Sequence, residues 1–379
     1  MYRRGLTRSG SGRLVAVVAA AGTLAASGVL GTAATQSAAA ARPRAALLPP
    51  TVHPPTFNDA KLFGLRNALY KALKGKNLNG VDTWMVVNIL ATYWVAGKQG
   101  DLKAAKELGI APHFEGPPQG QLSTQVSEYE TLSSTGATGV FTSVIDPVSE
   151  GSIINKMVAK HIDVVAIDSP VPAKDAKTFV YVGTPNITAG QAAGAAMKRA
   201  LPHGGEVAIL TGSLTATNAL QRIQGFKQAL AGSNIKVVTV QNDNGNAATA
   251  ATNADTVIAS NPHLAGIYGV YSYDGPAAAV AVKSKSDIGK IHVISDDTEP
   301  GTITGLENGS VTASIIQQPY MQGYLGAYLT AAMKVLGPAK VAAIMKPYET
   351  GGVISTEVGT LTKANLAADT AYNKTIGAG

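Results

Sequence analysis

The sequence predicts an α/β protein in which two doubly wound lobes, each built on a parallel sheet, share one chain. From Val81 onward, short apolar segments bounded by Gly, Pro, Asn or Asp alternate with segments of helical period. The apolar segments are nearly continuous, which is typical of parallel strands that helices cover on both faces. There are many such segments for one twisted sheet, so two lobes are expected.

Strands and helices follow one another in a regular order. A helix added before the first strand is predicted within Phe57–Leu78, where apolar residues recur at helical spacing. The predicted strands are Trp84–Leu90, Gly139–Val144, Asp163–Ile167, Thr178–Val182, Glu206–Thr211, Ile235–Gln241, Gly266–Val270, Ile291–Ser295 and Val311–Ile316. The predicted helices include Gly97–Leu108, Leu122–Ser134, Ile153–His161, Ala189–Leu201, Ala219–Ala231, Ala247–Ser260 and Tyr320–Leu336.

The first 41 residues predict a cleaved export signal. Four arginines precede the apolar segment Leu14–Leu30, and Ala39–Ala41 supplies small residues for cleavage. The apolar segment is shorter than the roughly 20 residues that a membrane helix needs. The pair Arg3-Arg4 leaves general secretion and twin-arginine export both open. We therefore expect a signal at 1–41, an N-terminal extension at 42–80 and an extracytoplasmic mature protein, either periplasmic or secreted.

Composition excludes several classes of function. Of the 31 basic residues, four lie in the predicted signal, so the net charge of +7 falls to +3 without it, too little for a nucleic-acid-binding face. The chain has no cysteine, which excludes disulfides and thiol catalysis. The mature sequence lacks the Gly-x-Ser-x-Gly, His-Glu-x-x-His and phosphate-loop motifs, and its histidines are scattered. We expect neither an enzyme nor a metal or cofactor site.

Polar side chains follow three predicted strands directly. Asp168 follows one strand, Asp296 and Asp297 follow another, and Gln317 follows a third. Ligands of open α/β sheets bind at this carboxyl edge, and carboxylates and amides suit a ligand rich in hydroxyls, such as a sugar. The alternative for each Asp is a helix cap or a turn. We expect Asp297 to cap the helix that begins near Thr298, which leaves Asp296 for the ligand.

Arginine and aromatic residues supply further candidates for the site. Arg222 lies in the first turns of a helix, where its fork of donors either reaches ligand oxygens or remains on the surface. The pair Tyr93-Trp94 follows the first strand, and Tyr271 follows another. Such rings either stack on the apolar face of a sugar or pack in the core.

The residues quoted above resemble the periplasmic sugar-binding proteins of the ribose-binding type, which are the solute receptors of ABC importers. The resemblance covers about Val81 to Asn365, and its most specific segments are Val164–Asp168, Gln221–Phe226, Ile294–Pro300 and Ile315–Gly323. Within that family, Glu107–Gly109 and Phe114–Pro117 look closest to the rhamnose- and autoinducer-2-binding branch.

The resemblance implies a set of ligand contacts by position. They are Asn88, Tyr93, Trp94, Asp168, Arg222, Tyr271, Asp296 and Gln317. Two positions depart from the ribose-binding pattern: Tyr271 stands where ribose binders have asparagine, and Ser295 where they have phenylalanine. These departures argue against ribose as the ligand.

The resemblance also implies the type I periplasmic binding protein fold, with two lobes joined by three hinge crossovers. We expect the crossovers near Gly183-Thr184, Gln317-Gln318 and Gly351-Gly352. Lobe 1 is then 81–183 plus 318–350, and lobe 2 is 184–317 plus 351–379.

The expected function is capture of a small sugar in the cleft between the lobes and its delivery to the permease of an ABC importer. The alternative is a sensing module that presents a sugar or autoinducer-like molecule to a membrane signalling protein. A monomer that binds no nucleic acid is expected in either case.

Overall fold

A computed structural model describes Phe57 and residues 59–376, and in this part of the chain it contains two six-stranded sheets. Sheet 1 is built from β1 (Thr83–Val86), β2 (Pro112–Glu115), β3 (Gly139–Thr142), β4 (Asp163–Ile167), β5 (Tyr181–Gly183) and β11 (Val353–Ser355). Sheet 2 is built from β6 (Gly205–Thr211), β7 (Ile235–Asn242), β8 (Leu264–Gly269), β9 (His292–Asp296), β10 (Ala313–Ile316) and β12 (Gly359–Leu361).

Both sheets have the strand order of a doubly wound fold. Sheet 1 runs β11-β5-β4-β3-β1-β2 with parallel pairing throughout. Sheet 2 runs β12-β10-β9-β8-β6-β7 and is parallel except for the antiparallel edge strand β12. In each sheet the carboxyl ends of the parallel strands therefore meet at one edge, where ligands bind in open α/β folds. The predicted fold class is confirmed.

Helices cover both sheets. Those before and around sheet 1 are α1 (Ala60–Leu73), α2 (Tyr93–Leu108), α3 (Leu122–Thr135), α4 (Pro147–Ala159), α10 (Pro319–Leu336) and α11 (Pro338–Met345). Those around sheet 2 are α5 (Asn186–Ala200), α6 (Thr217–Leu230), α7 (Ala247–Ser260), α8 (Asp274–Ser284), α9 (Pro300–Asn308) and α12 (Leu366–Thr375). None of these described helices is long and apolar enough to span a membrane.

The sequence prediction missed the short, weakly apolar elements. Strand β2 reads Pro-His-Phe-Glu and none of its residues is fully buried, because it forms the edge of sheet 1. The first strand ends at Val86 and not at Leu90, and Tyr93 and Trp94 lie in the first turn of α2. The predicted signal at 1–41 lies outside the described residues.

The chain passes between the two sheets at three places. It leaves sheet 1 after β5, returns to it after β10, and leaves it again after β11. The first two changes fall at Gly183-Thr184 and Gln317-Gln318, where we expected crossovers. The third follows Ser355, a few residues beyond the expected Gly351-Gly352, because β11 pairs in parallel with β5. Below, lobe 1 is sheet 1 with its helices and lobe 2 is sheet 2 with its helices.

Candidate ligand-binding cleft

A small cavity lies between the carboxyl edges of the two sheets. Its volume is about 30 Å³, enough for only one or two water molecules. It is lined by Asn88, Ile89, Ala91, Tyr93, Trp94, Asp168, Asn218, Arg222, Tyr271, Ser272, Tyr273, Asp297 and Gln317. All the predicted site residues except Asp296 are therefore brought together here.

Asp168 provides the carboxylate of lobe 1. It directly follows β4 and has a left-handed backbone with φ of 56°, a conformation that Asp tolerates better than most residues. Ser143 Oγ and Asn218 Nδ2 donate to one carboxylate oxygen over 2.8 and 2.9 Å. Since Asn218 belongs to α6 of lobe 2, this carboxylate is shared between the lobes.

Arg222 provides the positive charge of the site. It lies on α6 and is 3% exposed. At Gly190 of α5, a Cβ would stand 2.0 Å from the carbonyl oxygen of Arg222. Because only glycine permits this approach, α5 fixes the backbone from which the arginine projects. Asn186, also on α5, accepts a hydrogen bond of 2.9 Å from Arg222 Nε.

The guanidinium of Arg222 joins both lobes to the second crossover. Its Nη1 donates to Asp296 Oδ2 over 3.0 Å, and its Nη2 donates to Gln317 Oε1 over 2.6 Å. Nη2 also lies 3.6 Å from Asp168 Oδ1. The same oxygen of Gln317 accepts a 2.6 Å hydrogen bond from Thr184, which belongs to the first crossover. Gln317 therefore ties the charged centre to two of the three connections between the lobes.

The structure divides the roles of the two consecutive aspartates. Asp297 lines the cavity, has a φ of 65°, and accepts a 2.9 Å hydrogen bond from Gln317 Nε2. The expectation that Asp297 caps α9 is wrong: α9 begins at Pro300 after Glu299, and no side chain caps it. Asp296 lies behind the lining, 1% exposed, with Arg222 and Tyr268 as its hydrogen-bond donors.

Burial dominates the electrostatics of these carboxylates. Burial raises the pKa of Asp168, of Asp297 and of Asp296, the last to about 7, although Arg222 opposes the shift at all three. Burial alone would lower the pKa of Arg222, but Asp296 and Asp168 raise it. The arginine is therefore charged, while three carboxylates compete for its compensation.

Aromatic rings form two walls of the cavity. Tyr93 and Trp94 meet edge to face at 4.8 Å, and Trp94 Nε1 donates to Asn88 Oδ1 over 3.0 Å. On the opposite side, Tyr271 meets Tyr273 edge to face at 5.9 Å. Tyr93 and Trp94 belong to lobe 1 and the other two rings to lobe 2, so each lobe supplies one wall of the cavity.

The sequence analysis missed two polar contributors. Asn218 lies four residues before Arg222 on α6. Its spacing from Arg222 places both side chains on one helix face, a signal that was available. Ser143 follows β3 by one residue, and only the pairing of β3 with β4 reveals that it faces Asp168.

The comparisons with known proteins identify the family. The family model for a periplasmic binding protein domain matches residues 84–337, which is more than half of the chain. The chain belongs to this periplasmic binding protein family. The predicted resemblance is thereby confirmed at family level, while the rhamnose- and autoinducer-2-binding branch stays a prediction.

Similar members of the family are described as sugar-binding proteins. The D-allose-binding periplasmic protein of Escherichia coli (strain K12) is 27% identical over 245 residues, which are 62% of this chain and 79% of that protein. GanP, a glucose-galactose binding protein from Geobacillus stearothermophilus, is 28% identical with a TM-score of 0.66, over 75% of this chain and 98% of GanP. A solute-binding protein of an ABC transporter from Burkholderia graminis, solved with D-arabinose, is 30% identical with a TM-score of 0.67, over 77% and 98%.

The residues of the cleft are suited to recognise hydroxyl groups. Its carboxylates accept hydrogen bonds, its arginine and amides donate them, and its rings offer flat apolar faces. Among the described residues, no three His, Cys, Asp or Glu side chains are grouped so that they could hold a metal ion.

Proposed function

We propose that this protein is an extracytoplasmic solute-binding receptor that captures a small sugar in the cleft and delivers it to an ABC importer. The supporting observation is the cluster of Asp168, Arg222, Asp297 and Gln317 between aromatic walls, at the edge where both sheets end. The family membership and the sugar-binding relatives support the same conclusion. The receptor binds and releases its ligand without changing it.

Ligand chemistry follows from the donors and acceptors in the cavity. Asp168 and Asp297 each present a carboxylate that can accept hydrogen bonds from two adjacent hydroxyls, and Arg222 can donate to ring or hydroxyl oxygens. The rings of Trp94 and Tyr271 suit the C–H faces of a pyranose or furanose. A neutral monosaccharide can form hydrogen bonds and stacking contacts with all these groups. An anionic ligand is disfavoured, because three carboxylates surround a single arginine.

Ligand entry requires the lobes to separate. The closed cavity of about 30 Å³ is far smaller than the roughly 300 Å³ at the lower end of small-molecule pockets. At the mouth, Thr215 Oγ1 of lobe 2 donates to the carbonyl of Ile145 in lobe 1 over 3.3 Å. Binding is therefore coupled to a hinge motion about the crossovers, and Gln317 connects the hinge to the ligand.

Calorimetric titration with a panel of sugars tests this proposal. The panel contains D-allose, D-ribose, D-arabinose, D-xylose, D-galactose, L-rhamnose and ribitol. We expect saturable heat with at least one of them and a matching change in tryptophan fluorescence. The chain has two tryptophans, and Trp84 lies on the edge-strand side, stacked on His113 at 4.3 Å. The variant Trp84→Phe therefore leaves Trp94 as the reporter of the cleft.

A flat response to the whole panel by protein with native circular dichroism contradicts the sugar proposal. Delivery to an importer is tested separately, by uptake of the identified sugar in cells with and without the gene. Unchanged uptake, with sugar binding demonstrated in vitro, rejects the transport role and favours sensing.

A further inference from the structure

The chain segment that precedes the family match contacts both lobes. The match begins at residue 84, whereas the described structure begins at Phe57 and includes the whole of α1 (Ala60–Leu73). Phe57 and α1 are only a few residues apart in sequence, yet they belong to different apolar clusters. This division is what a connection between the lobes requires.

Helix α1 is anchored on lobe 1. Its leucines at positions 62, 65, 69 and 73 are buried in the cluster that also holds Trp94, Tyr324 and Val341. Arg66, fully buried on the same helix, donates to Glu107 Oε2 over 2.6 Å and to Tyr324 Oη over 2.9 Å. Glu107 lies on α2 and Tyr324 on α10, so α1 is attached to two helices of lobe 1.

Phe57 is anchored in lobe 2. It is 4% exposed and belongs to the apolar cluster that contains Ile316, Leu361 and Leu366. Ile316 ends β10, Leu361 ends β12, and Leu366 begins α12. All three elements belong to sheet 2 or cover it. The phenyl ring is therefore part of the core of lobe 2.

Asp59 lies between these anchors and beside the hinge. Asp59 is fully buried. Burial raises the pKa of Asp59 to about 6, the polar side chain of Gln318 opposes this shift, and the charge of Glu357 adds to it. Gln318 belongs to the second crossover, and Glu357 lies between β11 and β12 in the third. The segment thus runs alongside two of the three connections between the lobes.

We propose that this N-terminal segment is a strap: a fourth link across the hinge that favours the closed arrangement of the lobes. The first residue of α1, Ala60, is three positions after Phe57, and such a chain spans at most about 10 Å. A link this short cannot follow a large relative movement of its two anchors. An opening that moves the two anchors farther apart than this link can span therefore requires Phe57 to leave its place in lobe 2, or α1 to leave lobe 1.

The strap acts by shifting a population. Burial of the phenyl ring against lobe 2 contributes to the free energy of the closed form and is lost in an open form that unseats it. The fraction of closed molecules in the absence of ligand is then set in part outside the cleft. Once a ligand is known, its apparent affinity is expected to change with that fraction.

Distances between spin labels across the cleft mouth test the strap without any ligand. The chain has no cysteine, so Val148→Cys on lobe 1 and Leu220→Cys on lobe 2 provide unique labelling sites, 71% and 45% exposed. The variants are Phe57→Ala, Leu69→Ala and their combination. Lys71→Ala, at an exposed position of α1, is the matched control. Circular dichroism and thermal melting establish that each variant is folded.

We expect both single variants to shift the distance distribution to longer values, and Lys71→Ala to leave it unchanged. The strap links the lobes only when both of its anchors are in place, so losing one anchor already breaks the link. The combined variant is therefore expected to open no further than the more open single variant. Phe57→Leu keeps an apolar anchor and is expected to restore the short distances. A distribution that is the same in all folded variants overturns the strap, as does strict additivity of the two shifts. These outcomes do not depend on whether the protein binds a sugar.

Discussion

Two buried arginines of this protein are surrounded by similar residue types, but in different proportions. Arg66, on α1, pairs among the described residues with the carboxylate of Glu107, whose Oε2 accepts hydrogen bonds from Arg66, Tyr324 and Tyr328 over 2.6, 2.6 and 2.7 Å. The other oxygen of Glu107 lies 3.3 Å from Nζ of the half-exposed Lys103. Arg222, in the cleft, faces the carboxylates of Asp168, Asp296 and Asp297. In the first centre the carboxylate is balanced by its cations, whereas the second has more carboxylates than its one guanidinium compensates.

The pKa shifts reflect this difference. Burial alone would raise the pKa of Glu107, but its three donors lower it. At Asp296 and Asp297 burial raises the pKa in spite of Arg222, and Asp296 Oδ1 has no hydrogen-bond partner among the described residues. A centre short of donors is stabilised by a ligand that brings hydroxyls. A buried ion pair with saturated acceptors holds a helix in place.

Replacing Arg222 by Met is expected to have the largest effect. The variant leaves three buried carboxylates without their cation, so we expect loss of detectable sugar binding and about 3–5 kcal/mol lower stability. Carboxyls with raised pKa values favour folding at low pH, and this contribution is lost as pH rises through about 7, the pKa of Asp296. Urea unfolding should therefore show a larger difference from the native protein at pH 8 than at pH 5.

The variant Arg222→Lys is the control, because it keeps the charge but not the fork of donors. We expect it to retain most of the stability and to bind weakly. Equal stability of Arg222→Met and the native protein at pH 8 would contradict the account of an undercompensated centre.

Replacing Glu107 by Gln tests the balanced centre, with an expected loss of about 2–3 kcal/mol of stability at pH 7, the scale of hydrogen bonds to a charged group. A carboxyl with a lowered pKa stabilises the fold above its unfolded pKa, here 4.5, and this contribution is lost as pH falls through the folded pKa. The difference from the native protein should therefore shrink only below about pH 4.5. Shrinkage that begins near pH 7, as at Arg222, would show that the two centres do not differ as described.

The sequence predicted the regular strands and helices of the fold better than the excess of carboxylates in the cleft. Apolar periodicity located β4 and α7 at the bounds the structure has, because each buries a regular apolar face. The edge strands β2, β11 and β12 were missed because three or four residues at a sheet edge carry no periodic signal. Strand ends also predicted which polar residues converge, since parallel strands of one sheet end together.

The distribution of roles within Asp296-Asp297 was beyond the sequence. Asp296 ends β9 and Asp297 directly follows it, and consecutive residues of an extended chain face opposite sides. Which of them faces the cleft depends on the left-handed backbone at Asp297, with φ of 65°, and on the tertiary bonds of Gln317 and Arg222. The local sequence pattern specifies neither the backbone conformation at Asp297 nor these tertiary hydrogen bonds.

A pair of conservative variants at these aspartates separates ligand contact from support of Arg222. Asp297 lines the cavity and Asp296 does not, so Asp297→Asn is expected to weaken sugar binding at least about tenfold, the scale of one lost charged hydrogen bond. Asn still accepts from Arg222 at position 296, so Asp296→Asn is expected to bind more nearly normally. Because the pKa of Asp296 is raised to about 7, its replacement should instead raise stability relative to the native protein as pH increases from 5 to 8. Titration calorimetry at pH 7 and urea unfolding at both pH values measure the two effects.

The contrary result is that Asp296→Asn weakens binding as much as Asp297→Asn and leaves the pH dependence of stability unchanged. The hydroxyl clamp is then Asp296, as the sequence pattern predicts, and the cleft rearranges on binding to expose it.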